Sequence, residues 1–227
     1  MKIGVLTSGG KDSLFAAFKA LKQGNEIACL ITLKPKNPES FMFHVPNLHL
    51  VPLQAKAMKT SLISMPSSGE KEKELIDLKK ALMKAKKDYD IAGVVSGALA
   101  SNYQKTRVDR ICKELGLKSL APLWHANPEK YLNELIEEKF DAIVVGIAAL
   151  GLNESWLGRK LDKQAVKELI DLEKKLGFHA AFEGGEAETL VLSCPLFHGK
   201  TIRVLKARKE LKNEFTGHYL VEKAELV

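Results

Sequence analysis

Ser8, Gly9, Gly10, Lys11, Asp12 and Ser13 read SGGKDS and follow the apolar run Ile3–Leu6. Gly9 and Gly10 allow a turn too tight for side chains, leaving backbone N–H groups where an anion can meet them. Lys11 adds a mobile positive charge, and Ser13 opens an amphipathic stretch whose helical amide dipoles favour anions. A strand, a glycine turn and a helix N-terminus in that order suit a nucleotide phosphate at the first βα junction. The pattern G-x-x-x-x-G-K-[ST] is absent, so a kinase or GTPase P-loop has no support. The plainer reading of the same residues is a glycine turn capped by serine. On the phosphate reading, Lys11→Ala removes a charge with little loss of thermal stability.

A second concentration of chemistry is FEGGEAETLV, Phe182–Val191, where Glu183, Glu186 and Glu188 surround a glycine pair before an apolar run. Carboxylates so crowded near phosphates repel them unless Mg²⁺ or a cationic substrate intervenes. They could hold a metal, accept protons from ammonium, recognise a positive group, or merely solvate a turn. In VSGALASNYQKTRV, Gly97 stands at a strand end on the same edge as SGGKDS and offers a second backbone approach to phosphate. Ser101 and Asn102 are helix starters, with Tyr103, Gln104 and Arg107 in the first turns. The Arg107 guanidinium could neutralise an α-phosphate or acyl-adenylate, or pair with an acid on an ordinary amphipathic helix. Phe41–Asn47, FMFHVPN, follows the second apolar run, where such folds receive adenine; Met42 could pack on the base and His44 hydrogen-bond to it. In GLNESWLGRKLD, Trp156 and Arg159 could clamp a ligand or pack between units. The remaining histidines have no metal-ligand spacing, and no metal ligands are assigned.

These residues need a scaffold. Apolar runs alternate with amphipathic stretches, the pattern of a parallel α/β sheet. Strands are expected at Lys2–Leu6, Glu26–Leu33, Ser61–Met65, Ile91–Ser96 and Lys118–Ala121. The helices between them are expected at Asp12–Gln23, Leu48–Lys59, Glu70–Lys87 and Tyr103–Leu115. That makes a doubly wound parallel sheet over residues 1–124, with ligand at the carboxyl ends of the strands. Residues 125–227 form a second, smaller α+β domain. It has helices at Glu129–Glu138 and Asp162–Leu176, the latter ended by Gly177. A buried strand covers Ala142–Ile147, and a more antiparallel tail has strands at Thr189–Ser193, Ile202–Lys206 and Tyr219–Glu222.

The chain has 227 residues, 45% of them hydrophobic and 28% charged, which suits a globular protein with a substantial core. No signal peptide or membrane-spanning run is evident. The three cysteines are far apart and odd in number, which disfavours a disulfide framework and suits a reducing cytoplasm. The net charge of +7 lies on lysine-rich helices interleaved with glutamates, a solvated pattern more than a nucleic-acid groove.

SGGKDS resembles the pyrophosphate loop of N-type ATP pyrophosphatases, the PP-loop superfamily, which split ATP between its α and β phosphates. With FMFHVPN, VSGALASNYQKTRV, LAPLW, WLGRKLD and EGGEAETLVL in this order, the whole chain resembles the diphthine–ammonia ligase (diphthamide synthetase) family. It departs at Ala187, where many relatives carry an aromatic residue. The resemblance implies a Rossmann-like PP-loop fold and an AMP-forming ligase. Its substrates are ATP with Mg²⁺, ammonium, and diphthine on translation elongation factor 2, with no nucleic acid or membrane partner. Ser8 to Ser13 would hold the leaving pyrophosphate, with Lys11 offsetting charge and Asp12 orienting Mg²⁺ or Lys11. Glu183 and Glu186 would serve the acceptor or the ammonium. A PP-loop tRNA-modifying enzyme and a non-catalytic nucleotide-binding protein are the rival classes. No paired cysteines favour thiolation, there is no room for a glutaminase domain, and the sequence leaves a homo-oligomer open.

Overall fold

The computed structural model describes residues 1–35, 46–68 and 73–227. Strands β1 (Lys2–Leu6), β2 (Glu26–Pro35), β3 (Ser61–Ser67), β4 (Gly93–Val95) and β5 (Lys118–Leu120) form one parallel sheet in the order β3-β2-β1-β4-β5. The order reverses between β1 and β4, which opens a crevice at their carboxyl ends. Between the strands run α1 (Lys11–Lys22), α2 (Val51–Ala57), α3 (Lys73–Tyr89) and α4 (Asn102–Glu114).

Alternation along the strands sorts the core into two faces. Ile3, Val5, Leu30 and Val95 pack with Leu14, Phe15 and Phe18 of α1. Cys29, Ile31, Leu33 and Val94 pack on the opposite face with α3 and α4. Both faces are therefore covered by helices, as a parallel sheet requires.

The second unit carries α5 (Pro128–Glu137), β6 (Asp141–Ala148), α6 (Lys163–Leu176), β7 (Ala187–Ser193), β8 (Ile202–Asn213) and β9 (Thr216–Leu226). Its sheet has the order β7-β6-β9-β8 and is antiparallel throughout. Asn127 and Asp162 cap α5 and α6 with side-chain oxygens, and Gly177 ends α6. The β8–β9 ribbon runs well past the expected Lys206. Residues 207–213 are mostly exposed and lack the alternation that marks a half-buried strand; backbone pairing with β9 carries them.

The two units share one core. The apolar cluster around α1 continues through Tyr131, Leu132 and Phe140 into β6, α6 and β7. Phe15 meets Tyr131 at 5.5 Å and Phe140 edge-on at 5.1 Å between ring centroids. Polar contacts reinforce this junction. Gln54 Nε2, on a fully buried side chain, donates to the carbonyls of both Gly9 and Val191 at 2.9 Å. The Val191 amide donates to the Gly9 carbonyl at 3.0 Å. Gly9 sits at φ +88°, and a Cβ there would lie 2.7 Å from Gln54 Oε1, so both conformation and space demand glycine.

Gln54→Leu keeps the volume but leaves the Val191 carbonyl without this donor, while also removing the unpartnered Gln54 Oε1. The expected net cost is about 1 kcal/mol, a fall of about 2–4 °C in Tm by thermal denaturation.

Candidate active site

A cavity of about 620 Å³ fills the crevice at the carboxyl ends of β1, β2 and β4. Ser8, Gly10, Asp12 and Ser13 form one wall, Ser101, Tyr103 and Gln104 another, and the acidic turn of the second unit closes it through Glu183 and Glu188. Thr32 and Ser96 stand at the ends of β2 and β4, are 2% and 8% exposed, and carry hydroxyls without a hydrogen-bond partner among the described residues. A buried hydroxyl left unpaired is costly, and a ligand in this cavity is what could satisfy it.

The loop is stitched by its own side chains and by a threonine of the second unit. Thr7 Oγ1 accepts from the Gly9 amide at 2.9 Å and lies 2.8 Å from Ser13 Oγ, which also donates to the Gly10 carbonyl. Thr189 Oγ1 of β7 accepts from the Lys11 amide at 3.1 Å and so caps α1 from the other unit. The amides of Gly10, Asp12 and Ser13 remain without partners among the described residues, at the positive end of α1. Gly97 lines the cavity, but α1 explains why it must be glycine: a Cβ there would lie 2.6 Å from the Ser13 amide nitrogen.

Lys11 corrects the sequence expectation. It is 1% exposed, not a mobile charge. Its Nζ donates to Asp12 at 3.0 Å and to the Ala181 carbonyl at 2.8 Å, and lies 4.9 Å from the Phe182 ring centroid. Asp12 Oδ1 accepts from the Tyr131 hydroxyl at 2.7 Å. Burial and then the Asp12 carboxylate hold the Tyr131 phenol well above its ordinary pKa, so it stays a donor. Asp12 thus orients Lys11 against the second unit.

The acids of the turn have separate surroundings. Glu183 accepts from the amides of Leu99, Ala100 and Ser101 at 2.9–3.0 Å, which fixes the loop leading into α4. Glu186 accepts from His179 and Gly184 at 2.9 and 2.8 Å and does not line the cavity. Both carboxylates therefore hold backbone in place; Glu186 does so away from the cavity, unlike the expectation for it, whereas Glu183 lines the cavity as well. Glu188 lines the cavity, and burial pushes its carboxyl up to about 7. The turn starts from Phe182 at φ +70°, a left-handed conformation uncommon for a bulky residue.

Arg107 also departs from expectation. Its guanidinium stacks 3.5 Å from the centre of the Tyr103 ring and donates to the Tyr103 carbonyl at 3.3 Å, so it stands behind the cavity wall. Ser101 caps α4 through the Gln104 amide. Arg159 is bound to Glu168 through both terminal nitrogens and stacked on Trp156 at 4.3 Å, outside this cavity. Met42 and His44 lie outside the described residues. Sequence reasoning missed Thr32, Ser96, Gln54, Tyr131 and Thr189 as site residues. It noted Glu188 only as a third charge in the turn.

A Rossmann-like parallel sheet with SGGKDS at its switch point defines an α/β protein of the nucleotide-binding, PP-loop class. Residues 1–119 match the family model for the diphthamide synthase N-terminal domain, and residues 127–227 that for its C-terminal domain. A Bos taurus protein named diphthine–ammonia ligase is 36% identical over 221 residues, covering 89% of this chain and 82% of that protein. A Schizosaccharomyces pombe protein of the same name is 36% identical over 242 residues, covering 99% of this chain and 39% of that protein. The chain belongs to the diphthamide synthase family.

On sequence grounds Lys11→Ala leaves stability nearly unchanged, but Lys11 is buried and the change strips Asp12 and the Ala181 carbonyl of their partner. The expected loss is about 3 kcal/mol of stability, read as a lowered denaturation midpoint at unchanged m-value. Glu183→Gln turns an NH₂ group toward amide donors. Hydrogen exchange at Leu99–Ser101 is expected to speed up about tenfold, on the order of 1.4 kcal/mol for one charge-assisted bond.

Proposed function

We propose that this chain catalyses the ATP-dependent amidation of diphthine to diphthamide on translation elongation factor 2, in the cytoplasm. The observation that carries the reading is that the SGGKDS loop and the acidic turn, from separate units, face one cavity of about 620 Å³. Family membership supports the reaction, and the cavity offers one wall suited to phosphates and another suited to an acceptor.

The chemistry divides into two displacements. The diphthine carboxylate attacks the α-phosphorus, the bond to the β-phosphate oxygen breaks, and pyrophosphate leaves. Ammonia then attacks the acyl carbon, the carbon–oxygen bond to AMP breaks, and the amide forms. The partnerless amides of Gly10, Asp12 and Ser13 and the Ser8 hydroxyl are suited to the leaving pyrophosphate, where preorganised donors count most. Tyr103 and Gln104 would border the nucleotide or acceptor, with Arg107 holding the Tyr103 ring in place. Glu183 and Glu186 act as positioning residues for the loop and turn.

Mg²⁺ is expected with ATP, but the described residues do not fit a protein-held ion. No three His, Cys, Asp or Glu side chains gather among them, and the Asp12 oxygens already accept from Lys11 and Tyr131. Mg²⁺ commonly binds through substrate phosphates and water with few protein ligands, and that suits this cavity. A thiolating reading has little support from the cysteines. Cys29, Cys112 and Cys194 are buried, and burial raises their thiols to about 12, 11 and 12, far from a reactive thiolate.

Purified protein incubated with ATP, ammonium and diphthine-bearing elongation factor 2 is expected to yield AMP and pyrophosphate in step with diphthamide. Chromatography of the nucleotides checks this. ADP and inorganic phosphate as main products would overturn α/β cleavage, and AMP formation indifferent to the elongation factor would overturn the acceptor.

A further inference from the structure

Three acids crowd the 183–188 turn, yet their environments differ in kind. Glu183 takes three backbone N–H donors and Glu186 takes two. Glu188 accepts no hydrogen bond from the described residues, although it lines the same cavity as Asp12 and Ser13. We infer that Glu188 is the catalytic base for the second half-reaction, accepting the proton that ammonium must lose before nitrogen attacks the acyl-adenylate. This rests on the amidation reading above.

The fold gives this side chain a defined place. Glu188 pairs with Gly146 across β6 and β7. A Cβ on Gly146 would lie 3.1 Å from Glu188 Cβ and 3.3 Å from its Cγ, tight enough that the stem would have to shift by a few tenths of an ångström. The glycine therefore leaves room for the glutamate stem beside the central strand. On the far side of Gly146, His218 of β9 comes within 3.4 Å of the same point.

The charged groups acting on Glu188 are Lys11 and Asp12, both on α1. Burial is the largest influence and, with Asp12, disfavours the ionised form; Lys11 favours it but is outweighed, and the carboxyl is lifted to about 7. Lys11 is already committed to Asp12 and the Ala181 carbonyl, which leaves it less able to neutralise a second carboxylate.

Such a group suits the required proton transfer. Ammonium has no lone pair until it gives up a proton. On the proposed path that proton passes to the Glu188 carboxylate, the nitrogen lone pair forms the C–N bond, and AMP leaves with the electrons of the broken C–O bond. The tetrahedral adduct releases a further proton to water to leave the neutral amide. A base with a pKa near the operating pH combines a usable ionised fraction with real proton affinity, whereas an ordinary glutamate is a much weaker acceptor. Before transfer, the ionised form also attracts the ammonium cation into the cavity.

The test compares wild type with Glu188→Gln on diphthine-bearing elongation factor 2. Substrate-dependent exchange of labelled pyrophosphate into ATP reports the first half-reaction. Amide formation reports the second, with either ammonium or hydroxylamine, a nucleophile already neutral at pH 7. Exchange should stay within about threefold of wild type, whereas amide formation from ammonium should fall by about 10²–10⁴-fold. With hydroxylamine the defect should shrink to under about tenfold, which misfolding would not produce because the same protein is assayed. The wild-type ammonium rate should rise through pH 7, and that inflection should vanish in the variant. If Glu188→Gln does not fold, Glu188→Asp carries the same nucleophile comparison. Equal defects with both nucleophiles, a parallel loss of exchange, or an unaltered ammonium rate would each overturn the role. Absence of substrate-dependent exchange in wild type would instead overturn the amidation reading itself.

Discussion

The buried ammonium of Lys11 is the constraint from which the arrangement of the two units follows. Taking a lysine out of water costs several kcal/mol unless oxygen ligands replace the lost hydration. Asp12 is one turn-mate that supplies such oxygens, but the other ligand is the Ala181 carbonyl, which belongs to the second unit. The adjacent amide of the same residue is capped by Thr189, again from that unit. A loop that reads in isolation as a free phosphate cradle is therefore half-built by residues some 170 positions later. Shared apolar packing of Phe15 against Tyr131 and Phe140 makes the junction a core, not a hinge between independent domains.

This dependence changes what the acidic turn means. Clustered in sequence, Glu183, Glu186 and Glu188 look like one negative site. In space, backbone donors select their tasks. A carboxylate that accepts several backbone N–H groups is fixed in place, which suits Glu183 to locking the entrance of α4. A carboxylate without donors in a buried setting is poised to change protonation state, and Glu188 alone meets that description. Identical side chains two or three residues apart thus acquire different chemistry from the donors around them.

Much of the scaffold was legible because it depends on local rules. A short apolar run followed by paired glycines and a helix start marks β1, the loop and α1, and the regular alternation of apolar and amphipathic stretches marks the parallel sheet. The helix starts near Ser101 and Asp162 and the stop at Gly177 were readable for the same reason. Long-range partners were not readable. Nothing local tells that Lys11 points inward, that Gln54 bridges Gly9 to Val191, or that Tyr131 donates to Asp12, because each contact joins distant parts of the chain. Arg107 shows the same limit: its spacing places it near the cavity, but the Tyr103 ring one helical turn away takes its planar face. The far half of β8 was missed because it is exposed and held by backbone pairing and cross-strand charge, not by an apolar face.

A site assembled at such a junction is held by contacts from both units. Donors held by contacts within the protein cost less ordering when a ligand binds, since less binding energy is consumed in shaping the loop. The left-handed Phe182 fits this picture, since a conformation of that cost persists only where its surroundings enforce it. Here the enforcing contacts are the amide of Phe182 to the His179 carbonyl, the Gly185 amide back to Phe182, and the Lys11 ammonium over its ring. The residue that opens the acidic turn is thus held by the same lysine that closes the phosphate loop. Displacing that lysine would disturb both walls of the cavity together, because one buried charge is tied to each.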